Sequence, residues 1–148
     1  MTNDDAWAER RAQEIRDRHH RDEQKKQTYT DEQNFLRAQA DGTWLALQAA
    51  LKSKIAALNQ RLGENALTFS LVDTRKVEIG VKEHSPKPSV RFDPEKLSIN
   101  ASTVNTGFNW EMKVVNGQIV FASRQVGSSN MTTDQVAVHI LDDLCKFV

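Results

Sequence analysis

The chain has 148 residues, 20 of them Lys or Arg and 20 Asp or Glu, so its formal charge is zero. That balance supplies no global field to attract nucleic acid or an anionic membrane, and any partner has to be recognised locally. A single cysteine, Cys145, excludes an intramolecular disulfide, and the length suits one domain with an extended appendage.

The opening run Met1-Thr2-Asn3-Asp4-Asp5 is acidic and no apolar stretch follows it. It predicts neither a signal peptide nor a membrane span, and the expected location is cytoplasmic. Residues 1–40 read as a polar helical extension. Charged and polar residues and alanine favour helix there, with Glu14–Arg18, Asp17–Arg21 and Asp22–Lys26 at helical neighbour spacing. The large apolar side chains before Gln27 are only Trp7 and Ile15, too few for a core face, and Trp7 is the expected anchor.

Thr30-Asp31-Glu32-Gln33 has the spacing of a capping box, where the helix resumes or continues unbroken, and Asp41-Gly42 weakens it, so that Thr43 could cap a new start. A helix is expected over 43–62, where Trp44, Leu47, Leu51, Ile55, Leu58 and Leu62 form one stripe and Gly63 ends it.

From Leu67 the apolar period changes to two, and each turn dictates which residues face each other. A three-residue loop at 73–75 pairs Leu71 with Val77, Phe69 with Ile79 and Leu67 with Val81, although Arg75 stands where glycine is preferred. Pro86 and Pro88 interrupt the ladder. Asp93-Pro94-Glu95-Lys96 as a turn pairs Phe92 with Leu97 and Val90 with Ile99. A loop at 104–107 then sets Thr103, Ala101, Ile99 and Leu97 against Phe108, Trp110, Met112 and Val114. Asn116-Gly117 is a type I′ pair that sets Val114 against Ile119 and Met112 against Phe121.

These readings give an α+β fold: a long N-terminal helical segment, then one domain over 41–148 with about six antiparallel strands in a meander over 66–125. A closing helix over 132–148, capped by Thr132 with Gln135 three residues later, packs Ala137, Ile140, Leu141, Leu144, Cys145 and Val148 on one sheet face. The other face is wet and carries Lys76, Glu78, Arg91, Ser98, Asn100, Ser102, Asn109 and Arg124. In element order alone the chain resembles the helix-grip ligand-binding folds, which implies a cavity between a curved sheet and a helix.

Candidate chemistry is sparse. His19-His20 with Asp22 and Glu23 offers two ligands on an exposed helix, whereas a closed metal site needs three or four. His139 stands one turn before Asp143 with no nucleophile marked out, since Cys145 belongs to the apolar stripe. Gly127-Ser128-Ser129-Asn130 precedes a helix but lacks the lysine of a phosphate loop. No catalytic, cofactor or metal residue is therefore assigned.

The sequence favours a non-enzymatic interaction or oligomerisation module. Its partner is another protein or a second copy, not nucleic acid or membrane, met through the helix bearing Trp7 and Ile15. The alternative is a small-molecule binder or enzyme with a pocket lined by Phe69, Phe92, Phe108, Trp110, Met112 and Phe121. A third surface is the outer sheet face around Asn100, Asn109 and Arg124.

Overall fold

The computed structural model describes residues 2–123 and 130–148. Two compact units divide the chain at residue 35, one covering 1–35 and the other 36–148. A single helix, α1, runs over Asn3–Leu62, so the helix continues unbroken at Thr30, one of the two expected outcomes, and no new start occurs at Thr43. Thr30 lies inside regular helix, where the amides a cap would serve already have carbonyl partners four residues back. Thr43 does not cap either: its hydroxyl donates back to the Gln39 carbonyl (2.9 Å), the bond a threonine makes within a helix. Gly42 is carried through despite its low propensity. The helix ends where expected, with Gly63 at φ 70° and its amide bonded to the Asn59 carbonyl (2.9 Å).

Six antiparallel strands follow in sheet order: β1 Leu67–Asp73, β2 Lys76–Val81, β3 Ser89–Asp93, β4 Ser98–Ser102, β5 Gly107–Val115 and β6 Gln118–Ala122. The closing helix, α2, spans Thr133–Cys145. Its capping box is complete: Thr132 Oγ1 accepts from the Gln135 amide (3.2 Å) and Gln135 Oε1 from the Thr132 amide (2.9 Å).

The first hairpin has the expected register, with Leu67, Phe69 and Leu71 opposite Val81, Ile79 and Val77. Arg75 avoids a left-handed backbone because Asp73 Oδ1 accepts from its amide (2.8 Å) and the ladder shifts between Leu71 and Asp73. The last hairpin also agrees. Asn116 and Gly117 take φ of 52° and 75°, and Val114 faces Ile119.

The two middle hairpins differ from expectation by two residues each. Phe92 faces Ile99 and Val90 faces Ala101, because Leu97 turns left-handed (φ 50°) and joins the loop. Its side chain stays buried all the same, and its carbonyl accepts from the Met112 amide (2.9 Å). Ala101 faces Phe108 and Ile99 faces Trp110, since the loop closes at Thr103, whose amide and hydroxyl both donate to the Thr106 carbonyl (2.8 and 2.9 Å). A two-residue slip keeps every side chain on its expected face.

Within residues 36–148 one hydrophobic cluster fills the space between that face and the helices. Leu36, Ala40, Trp44, Leu47, Leu51 and Ile55 come from α1, and Val136, Ala137, Ile140, Leu141 and Leu144 from α2. The sheet contributes Leu67, Val77, Ile79, Val81, Val90, Phe92, Ile99, Ala101, Trp110, Met112 and Phe121. Polar contacts pin the layers in place. Trp44 Nε1 donates to the Thr74 carbonyl (2.8 Å) while its ring stacks on Phe92 at 5.9 Å. Asn59 bonds both the amide and the carbonyl of Leu67 (3.2 and 2.8 Å), standing in for a neighbouring strand at the start of β1. Lys54 pairs with Asp134 of α2 at 2.9 Å.

Five expected positions differ, among them Leu62, the last residue of the expected α1 stripe, which is exposed. Leu71, near the end of the edge strand β1, is 61% exposed. Ser98, expected on the wet face, is buried. Cys145 and Val148 are exposed, since α2 ends at Cys145 and Val136 takes a place in the buried stripe instead.

Two substitutions test this packing in the full chain by urea unfolding. Gly42→Ala meets no atom within 4 Å and should stabilise the protein, by about 0.5–1 kcal/mol. Trp44→Phe keeps an aromatic ring but removes the bond to the Thr74 carbonyl, and should destabilise by about 1–2 kcal/mol.

Candidate functional site

In the unit covering residues 1–35, the helical residues of α1 are exposed apart from half-buried Ala12 and Gln33. Trp7, the expected anchor, is 57% exposed and Ile15 43%. Tyr29 joins them at 65%. At about 100° per residue the steps of eight and fourteen place the three in one sector of roughly 80°. Tyr29 was legible in the sequence, two heptads beyond Ile15, but its polar neighbours mask it.

Among the described residues none of the ion pairs expected in this segment forms. Glu14 pairs with Arg11 (2.7 Å), and Asp17 accepts from Gln13 (2.9 Å). His20 lies 3.2 Å from the Gln24 amide nitrogen, and no group of three or more His, Cys, Asp or Glu among the described residues could hold a metal ion.

The charges nevertheless fall in blocks. Asp4, Asp5 and Glu9 open the helix, a predominantly basic stretch from Arg10 to Lys26 follows, and Asp31 and Glu32 close it. Such an arrangement presents both signs along one rod.

The six aromatic and thioether residues expected to line a pocket all belong to the core unit. Phe92, Trp110, Met112 and Phe121 are buried, Phe69 and Phe108 half-buried, and all six lie in or against the hydrophobic cluster. Phe108 and Trp110 sit 5.6 Å apart, and His139 of α2 meets both rings edge-on at 4.8 and 5.8 Å. His139 thus packs against aromatic rings. Asp143 pairs with Lys146 (3.4 Å), and no hydrogen bond joins it to His139. On the outer face Asn109 donates to Asn100, while Arg124 and most of the 127–130 loop lie outside the described residues.

No described helix is long and apolar enough to cross a membrane. The chain matches no family model, no curated protein and no solved structure.

Among the described residues, Cys145 has an acid–base equilibrium displaced from its ordinary value. Partial burial of its sulfur, and then the Asp142 carboxylate, push its pKa above the ordinary thiol value. It is therefore a protonated, slow nucleophile at neutral pH. Alkylation by iodoacetamide should show a pH midpoint above that of free cysteine, and Asp142→Asn should lower it; a midpoint at or below the free-cysteine value contradicts this assignment.

Proposed function

We propose that the protein is a non-enzymatic oligomerisation module in which the helix over residues 3–35 pairs with the same segment of a second copy. The observation that carries this reading is the exposed sector of Trp7, Ile15 and Tyr29 on a helix with no buried face of its own. Large apolar side chains on one side of an exposed helix favour burial by a partner.

Charge supports a second copy as that partner. An antiparallel pair centred on Ile15 sets Asp4, Asp5 and Glu9 of one helix beside Lys26, Lys25 and Arg21 of the other. Acidic and basic blocks then alternate across the seam, and a chain of zero net charge meets no long-range self-repulsion. The buried aromatic residues of the sheet support the same division of labour. Their side chains are taken up by packing, and the exposed apolar sector of the first unit is not.

Sedimentation equilibrium across a concentration series tests the proposal. The full chain should self-associate, and the association should weaken as salt screens the blocks. The double variant Trp7→Ala, Ile15→Ala should be monomeric with an unchanged unfolding midpoint, since both side chains are exposed. A wild-type protein that stays monomeric at every concentration, or a variant that associates equally well, overturns it.

A further inference from the structure

We propose that the recess at the β1–β2 turn, on the outer side of the sheet, binds the phosphate group of a small molecule through Arg75, Lys76 and Arg91. The cross-strand register carries the argument. Asp73, Lys76, Arg91, Asn100 and Asn109 are successive partners on five neighbouring strands and form one polar row across the sheet. Within it Lys76 stands directly opposite Arg91, a like-charge pair that destabilises a sheet unless an anion lies between or above the two.

The recess is open, encloses about 740 Å³, and takes in Arg75, Lys76, Arg91 and Asn100 together with the turn residues. Small-molecule sites fall in the same size range. Two carboxylates, Asp73 and Asp93, also border it, but both are turned onto backbone amides. Asp73 Oδ1 accepts from the Arg75 amide (2.8 Å), and Asp93 Oδ1 from those of Glu95 and Lys96 (3.0 and 3.2 Å). Neither forms an ion pair with a cation of the recess. Among the described residues no side chain bonds either guanidinium, and Lys76 reaches only Glu78, at 3.9 Å.

The site is also held in shape before any ligand arrives. Trp44 Nε1 fixes the Thr74 carbonyl from beneath, and the Arg75 carbonyl accepts from the Phe92 amide (2.8 Å), locking the turn to β3. Three cations, two at the braced turn and Arg91 on the adjoining strand β3, suit a doubly charged, multidentate oxyanion, for which guanidinium forks are the matching donors. Asn100 adds a neutral amide at the recess wall.

Titration of the isotopically labelled full chain with inorganic phosphate, followed by amide NMR against sodium chloride at equal ionic strength, tests the assignment. Saturable shifts confined to Arg75, Lys76, Arg91 and Asn100 are expected, with a smaller response to acetate. Arg91→Gln and Arg75→Gln replace exposed side chains and should each weaken phosphate binding about tenfold. Shifts no larger than those from sodium chloride, or affinity unchanged in both variants, overturn the proposal. So does binding to phosphatidic acid vesicles without saturable binding of free phosphate, which would place the ligand on a membrane.

Discussion

The fold of residues 36–148 depends on one requirement: a six-stranded meander with an apolar inner face has to be covered. Each buried branched or aromatic side chain contributes about 1.5–3 kcal/mol when removed from water, and an open sheet face forfeits that burial. Two helical stripes close it, Leu36 to Ile55 from α1 and Val136 to Leu144 from α2. Trp44 shows how closely the layers are tied, because one side chain stacks on Phe92 and bonds the turn that carries Arg75. The same contact that completes the core thus shapes a feature of the outer surface.

That coupling separates two kinds of surface. Residues 3–35 form helix through local propensity and bury almost nothing, so their large apolar side chains stay exposed. The sheet's outer face is polar by alternation, but its electrostatics depend on which strands are neighbours. Lys76 and Arg91 are 15 residues apart in sequence and become direct partners only when β2 and β3 pair. The structure thereby brings cations together that composition, at zero net charge, does not reveal.

Much of the meander was legible, and the pattern of success is instructive. The Asn116-Gly117 turn demands two left-handed residues and gets them, so its register was readable from two letters. The first hairpin followed its hydrophobic pattern even though Arg75 is a poor turn residue, because Asp73 supplied the missing hydrogen bond. The middle hairpins did not follow their turn residues. Loop closure there is decided by Leu97 turning left-handed while keeping its side chain in the core, and by Thr103 bonding across its own loop. The β2–β3 register, on which the cationic recess rests, was unreadable because the proline-containing connection over 82–88 has no turn signature that fixes which residues face each other. Of the candidate site residues, Trp7 and Ile15 were found as apolar exceptions in a polar helix, and Tyr29 was overlooked among its charged neighbours.

Local chemistry alone was enough for the elements, the faces and the caps. Period-two and period-3.6 patterns, Gly63, Asn116-Gly117 and the Thr132–Gln135 box act over a few residues and leave direct traces in the chain. Tertiary structure alone decided three things. It carried α1 unbroken through Gly42, set the two middle registers, and placed Lys76 beside Arg91 above a turn braced by Trp44. Each of these depends on partners far apart in sequence, where the free energy is set by what packs against a residue and not by the residue itself.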